Sequence, residues 1–567
     1  MSMVGAIRTT NNPSKVLSKD VYLVVSTYSY ARPNVEKPRR RWNGVWRILT
    51  FIQSPPRIPE LVFAAVLVWL FATGEGWSVL LADGDTGWHI RNGERIIDTG
   101  VVPHSDVFAF GSAGHPWFAW EWMSDVMFAL LFRIGGLKAV TVFCGITIAF
   151  SVSVLFRHMI WRSVGVCIAL PVALLSVGAS SVHYLARPHV LGLVLFAVAA
   201  WIIDRDRTSP SRIDLALPVL LLLWVNCHGS FLAGLGMVGL RTVEQVIQWR
   251  GSRDHADWKH LKRLAAVLVI SWAATFCNPY GWHLHAHAIE YLRSSWIQAT
   301  VEEFQSPRFR SESMLQYEIL LFAGLAALPS LIRRKEIYPI CVILLWAHES
   351  LASVRHVPLY CLAASPFIAT WLQNTWNRRL RRSQTTSLLA TFHAINSTWK
   401  PWSSGFTVWP LILCVCIAAT AAKRFSPDEP VNFPANKFPV KLVNGNLARL
   451  SAGGPSIRVF SSDQWSDYLI FRFHPGVRIF FDGRSDFFGP WRGRAYQKLM
   501  AGSLDSASIL ERENVDLALL PKDWALSAVL RTHSQWWIAD EDDQAVLFVH
   551  GKPKTSVDPN QELTHSR

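Results

Sequence analysis

Leu61-Val-Phe-Ala-Ala-Val-Leu-Val-Trp-Leu-Phe-Ala-Thr-Gly-Glu-Gly-Trp-Ser-Val-Leu80 decides how the rest of the chain is read. It carries a single charge, Glu75, and as a helix it spans the roughly 30 Å hydrocarbon core of a bilayer. About 60 polar and basic residues precede it, so the run is expected to be a retained helix and not a cleaved leader. Comparable apolar runs follow near 136–157, 163–181, 188–203, 213–226, 230–248, 264–277, 317–332, 337–353, 357–375 and 405–422. Together they predict a mainly α fold, a polytopic bundle of about eleven spans over 61–422.

Composition agrees with that reading. Of 567 residues, 50% are hydrophobic and 17% charged, with 27 Trp and 31 Phe, which excludes a soluble enzyme built of several ordinary domains. A net charge of +15 would suit a nucleic-acid binder, but the basic residues fall between apolar runs. They set orientation in a membrane, and no nucleic-acid partner is expected. With a cytoplasmic N-terminus, Arg157 and Arg162, then Arg205, Arg207 and Arg212, then Arg250 to Arg263, Arg333 to Lys335 and Arg378 to Arg382 all lie inside. The opposite loops, including a large one over 82–135, hold most of the loop carboxylates. Residues 1–60 read as a basic cytoplasmic tail with a surface helix near 42–52, and 551–567 as a polar tail. The eight cysteines sit in or beside apolar runs without metal-type spacing, so neither a disulfide framework nor a zinc site is predicted.

After the last run the pattern changes. Short strands at 457–460, 477–481, 515–520, 537–539 and 545–549 alternate with helical stretches near 463–472, 491–511 and 523–531. Residues 423–550 are therefore expected to form an extracytoplasmic α/β domain.

Chemistry is expected on the outer face. Asp83-Gly-Asp85 stands directly after the first span and before an amphipathic helix at 86–98. A partly desolvated Asp there serves as a general base, or the pair holds a cation; equally, Asp85 caps the helix while His89 and Glu94 face water. Glu121 lies between two tryptophans just before an apolar stretch, where an unpaired carboxylate is costly. Arg187, His228, Glu303, Arg355 and His356 stand at the outer ends of other spans. Ionisable groups repeated at that depth point to a shared polar cavity, with Arg187 and Arg355 suited to an anionic phosphate.

These residues carry a resemblance. Asp83 to Gly100, Pro103, Asp106, Pro116-Trp117 and Glu121-Trp122 are similar to a group of bacterial polytopic proteins of the GT-C glycosyltransferase class. So are Ala186-Arg187-Pro188, Leu223 to Gly229, Asn278 to Gly281, Glu303 to Pro307 and Arg355 to Pro358, and in the outer domain Asp463 to Ile470 and Phe481 to Asp486. Gly84 and Gly87 stand where the group has Pro and Trp.

The resemblance implies an inverting transferase of the bacterial inner membrane. Its donor would be a polyprenyl-phosphate-linked sugar and its acceptor a glycan, lipid or protein. On that resemblance Asp83 and Asp85 would be catalytic; Arg187, His228, Glu121, Glu303, Arg355 and His356, from their own positions at span ends, are the candidates to bind substrate. The cofactor stays open, with a divalent cation such as Mg2+ or Mn2+ at Asp83 and Asp85 as the candidate. In the outer domain, Asp482-Gly-Arg484 reads as a tight turn with Arg484 paired to a neighbour, and the domain itself as an acceptor-recognition element. A different class stays open too, a transporter or a lipid- or glycan-binding membrane protein whose cavity binds without transforming.

Overall fold

The computed structural model describes residues 55–72, 76–112, 115–382, 387–405, 407–424, 432–451 and 456–551. The expected N-terminal tail up to residue 54, with its surface helix, and the C-terminal tail from 552 lie outside the described residues. A helix falls on each expected apolar run: Ile58–Ala72, Trp122–Trp161, Val166–Ser180, His189–Thr208, Leu217–Cys227, Phe231–Ser252, His255–Ala274, Glu312–Arg333, Ile337–Ala352, Val357–Leu380 and Trp409–Arg424. Among the described residues, Trp122–Trp161, Val166–His183 and Ser313–Arg333 are long and apolar enough to cross a membrane by length and composition.

Three features depart from the sequence expectation. The second long helix begins at Trp122 inside the anticipated outer loop, and it changes direction at Gly135 and Gly136, the latter at φ 63°. Glycine reaches that conformation without a Cβ penalty, so one run of residues serves both the outer layer and the bundle. A further helix, Leu388–Trp399, forms where a basic loop was expected, its first turn capped by the Ser387 hydroxyl accepting the Ala390 N–H. The stretch after Asn278 also folds into a helix, Trp282–Arg293.

Elsewhere in the bundle, arginines and histidines are paired with acids. Asp204 takes His158 at 2.8 Å and Arg162 at 2.6 Å; Asp206 takes His260 and Arg263, each at 2.7 Å. Asp204 and Asp206 are buried, so Arg162 and Arg263 work as counter-charges that make carboxylates tolerable between helices.

The C-terminal part holds strands β1 (Ile457–Ser461), β2 (Val477–Ile479), β3 (Leu517–Pro521), β4 (Trp536–Glu541) and β5 (Ala545–His550). They form one sheet in the order β2-β1-β3-β5-β4, with β1 parallel to β2 and β3, and β5 antiparallel to β3 and β4. The β2 edge does not stay open. Phe110 N–H donates to Ile479 O at 3.0 Å and Ile479 N–H to Phe108 O at 3.1 Å, so the first outer loop adds itself to the sheet.

One buried cation ties that joint. Arg484 donates to Asp106 of the loop at 2.7 Å and to Asp482 at 2.5 Å, within a cage of Trp88, Phe108, Trp117 and Phe488. The helix Asp463–Phe473 then lies against the helix Asp85–Thr99. A Cβ at Gly84 would stand 2.4 Å from Gln464 O, and one at Gly87 would stand 2.7 Å from the Phe471 Cβ. Pro and Trp at these positions would hold the two helices apart; the two glycines are the space the outer helix occupies.

Candidate functional site

Three backbone-anchored segments bring the first carboxylates together. Asp83 Oδ1 accepts the Asp85 N–H at 2.9 Å, so the capping oxygen at this helix start belongs to Asp83, leaving the Asp85 carboxylate for other partners. Ala186 N–H donates to Leu80 O at 2.7 Å and Thr86 Oγ1 to Ala186 O at 2.8 Å, which sets Arg187 beside both acids. Arg187 Nη1 lies 3.0 Å from Asp83 Oδ2 and 2.6 Å from Glu303 Oε1, while Nη2 lies 2.6 Å from Asp85 Oδ2. One planar guanidinium thus serves three carboxylates, a geometry a lysine could not reproduce.

The electrostatics separate the acids. Burial pushes the Asp85 carboxyl up to about 7; Arg187 opposes this, and Asp83 and Glu303 add to it. Burial also works to raise Glu303, but Arg187, His183 and Arg355 overcome it and hold that carboxyl well below the usual range. Asp85 is therefore a proton-accepting group poised near neutrality, next to a permanently ionised Glu303. Asp83, Asp85, Arg187 and Glu303 line a cavity of about 720 Å³ whose far wall, with Asp463, Gln464, Asp482, Gly483 and Tyr496, comes from the C-terminal part.

A second cavity, about 150 Å³ and mostly apolar, adjoins the first at Tyr291, which lines both. It holds the remaining sequence-predicted residues: Glu121, His228, Arg355 and His356, together with His183 and His189. Its local order is readable. Ser230 N–H donates to His228 Nδ1 at 3.1 Å, so the ring proton sits on Nε2 and faces Glu121 Oε1 at 3.3 Å. Glu121 Oε2 lies 3.5 Å from His89 Nε2, and His89 Nδ1 lies 2.6 Å from Asp125. Burial, then the nearby Asp125 charge, pushes the Glu121 carboxyl well up, and burial with Arg355 keeps His228 neutral. Arg355 stacks over Phe304 at 4.8 Å and reaches Tyr291 Oη at 3.4 Å. Its turn is tied to the first cavity, because Ser353 Oγ donates to Glu303 O at 2.8 Å.

The structure thus brings all eight predicted residues to two adjoining cavities. It also corrects one detail. His89 does not face water; it is buried between Glu121 and Asp125. Glu94 is paired with Arg91 at 2.6 Å. Asp467 and Gly483 entered the sequence reading only within the outer-domain stretches that carry the resemblance, yet they lie against the Asp85 carboxylate.

The donor set does not suit a divalent cation at Asp83 and Asp85. Arg187 holds the Oδ2 of both acids and Asp83 Oδ1 accepts the Asp85 N–H, which leaves such an ion only Asp85 Oδ1, and among the described residues no group of three or more His, Cys, Asp or Glu could hold a metal ion.

No family model matches the sequence, and no curated protein matches it. Solved structures do. The archaeal oligosaccharyltransferase AglB from Archaeoglobus fulgidus, solved with an inhibitory peptide and a dolichol-phosphate, aligns at a TM-score of 0.51 and 11% identity, over 92% of this chain and 76% of that one. ArnT from Cupriavidus metallidurans aligns in its apo state at 0.49 and 14% identity, and bound to undecaprenyl phosphate at 0.47 and 13%; both cover 87% of this chain and 99% of that one. The fold is GT-C-like. At these identities the likeness is one of architecture.

Proposed function

We propose that this chain is a membrane glycosyltransferase that moves a sugar from a polyprenyl-phosphate donor to an extracytoplasmic acceptor with inversion. The observation that carries the reading is the pair of cavities meeting at Tyr291, one lined by carboxylates around Arg187, the other apolar with Arg355 and histidines. A lipid-linked donor needs both surroundings within a few ångströms: an apolar berth with a cation for its phosphate, and a polar chamber for its sugar and the acceptor. The dolichol-phosphate and peptide held by the AglB structure are of those two kinds.

In this reading Arg355 and the His228 Nε2–H meet the phosphate. Arg187 is engaged by Asp83, Asp85 and Glu303, and its part is to fix their positions. Asp85, close to half-ionised at neutral pH, removes the acceptor hydroxyl proton as that oxygen attacks the anomeric carbon. The bond to the lipid phosphate breaks on the opposite face, and the leaving charge develops beside Arg355. The α/β part, reached by the chamber's far wall, meets the acceptor. Localisation follows as the bacterial inner membrane, with that part on the extracytoplasmic side.

The test is the glycan and glycolipid profile of cells carrying Asp85→Asn or Asp83→Asn in place of the wild type. Loss of one product in the Asp85 variant supports transfer. Unchanged profiles in both variants, with the proteins present in the membrane, overturn it in favour of binding without turnover.

A further inference from the structure

The segment between the apolar helices Val357–Leu380 and Trp409–Arg424 carries a surface that sugar transfer does not use. Its helix, Leu388–Trp399, has no buried residue and three distinct faces. With about 100° per residue, Leu388, Phe392, Ile395 and Trp399 share one stripe about 60° wide. All four side chains are exposed. A second face holds Asn396, whose Oδ1 accepts the Cys167 N–H at 2.9 Å. A third, with Thr391, Ala394 and Thr398, is exposed as well.

The contacts fix where this helix lies. Asn396 reaches the first turn of the helix Val166–Ser180, whose other end leads to His183 and Arg187 at the cavities. At 1.5 Å per residue that helix is about 22 Å long, so Leu388–Trp399 sits at the end of the bundle away from the site. The segment is tied to the first helix too. Arg57 Nη1 donates to Pro401 O at 3.0 Å, and Glu60 Oε1 accepts the Thr407 N–H at 2.7 Å. A helix held at a bundle end, with one face on protein, one apolar and one polar, has the surroundings of a helix lying flat at a bilayer surface. Trp399 and the exposed Trp402 are the ring types that settle at that depth.

Charge selects the lipid. Residues 376–402 hold Arg378, Arg379, Arg381, Arg382 and Lys400, all exposed, and no Asp or Glu. The chain's own residues 32–47, with Arg39, Arg40, Arg41 and Arg47, are basic as well, and a second copy would bring the same cations, so both would be repelled. An anionic headgroup is attracted, and its acyl chain meets the stripe. We propose that Leu388–Trp399 and the arginines before it form a docking surface for anionic phospholipid, with Leu388, Phe392, Ile395 and Trp399 in the acyl region. In the orientation proposed above, this is the cytoplasmic leaflet. The inference rests on the bundle lying in a membrane and is independent of sugar transfer.

Photo-crosslinking in the full-length protein tests it. Benzoylphenylalanine is placed singly at Leu388, Ile395, Ala394 or Thr398, and each protein is held in lipid nanodiscs of equal parts phosphatidylcholine and phosphatidylglycerol. After irradiation, mass spectrometry of the peptides should find phospholipid on positions 388 and 395 and little on 394 and 398. The lipid captured should favour phosphatidylglycerol by roughly threefold or more. Arg378→Gln, Arg379→Gln, Arg381→Gln and Arg382→Gln together should return capture to the equal ratio of the disc. Equal lipid capture from all four positions overturns the docked face, as does a crosslink from 388 or 395 to a second chain or to the chain's own N-terminal peptides. Capture at the bulk lipid ratio by the protein with its arginines intact overturns the anionic preference, and that ratio decides alone if the fourfold variant does not assemble.

Discussion

Replacing Gly483 by alanine is expected to disable the site at a modest cost in stability. Gly483 is not in the left-handed backbone region, so its conformation accepts an alanine, and only space forbids one. The added Cβ would stand 2.1 Å from Asp85 Oδ1, about 1.3 Å inside ordinary van der Waals contact, and also 2.8 Å from Asp467 Oδ2. Overpacking of this size costs about 1–3 kcal/mol once neighbours yield. The neighbour that yields is Asp85, the base of the proposed transfer, and a displacement near 1 Å at a reacting group costs roughly 100-fold in rate. The control is Gly239→Ala, inside the helix Phe231–Ser252, where nothing lies within 4 Å of the new Cβ. There alanine should stabilise by about 0.5–1 kcal/mol. Thermal unfolding of the solubilised proteins gives the two signs, and cellular product gives the activity. A Gly483→Ala variant with wild-type product would refute the convergence of Asp85 and Asp467 on this glycine.

Other outcomes follow from the same geometry. With the Asp85 carboxyl raised to about 7, activity should climb as pH rises through 7. Stability runs the other way: the folded chain keeps this proton to about pH 7, whereas an unfolded Asp releases it near roughly 4. The group's stabilising contribution is full below pH ~4 and gone above ~7. Unfolding curves of wild type and Asp85→Asn should therefore differ in slope across that window, and parallel curves would contradict it. Arg187→Gln leaves three carboxylates without their common cation, costing on the order of 3 kcal/mol, more at pH 8 than at pH 5. Arg187→Lys should recover only part of it, which calorimetry at the two pH values checks. Arg355→Gln should weaken retention of a polyprenyl phosphate by the solubilised protein by roughly 10- to 100-fold, with Asp85 titration unchanged.

Much of this architecture was legible in the chain because its cause is local. An apolar run of bilayer length has one low-energy form, a helix, and short apolar runs set between helical stretches marked the strands whatever their partners. The Asp83-Gly-Asp85 spacing at a span end, and Glu121 between tryptophans, stood out because charge is expensive there. The beginning of the second long helix at Trp122 was not legible, since its polar first turns look like loop until they pack against Asp85–Thr99.

By itself, then, the sequence determined that the chain is mainly helical, a bundle of apolar helices with an α/β end and acids beside the helix ends. Strand order, the seat of the α/β part on the first outer loop, and the meeting of Asp467 with Asp85 were decided only in three dimensions. Gln464 lies 380 residues from the Gly84 whose N–H it accepts. No window of sequence can hold such a pair, and Gly84 and Gly87 read as departures from a motif until the helix that fills their missing side chains is in place. The reason is physical: burial and repulsion are properties of what surrounds a group, and only folding supplies the surroundings.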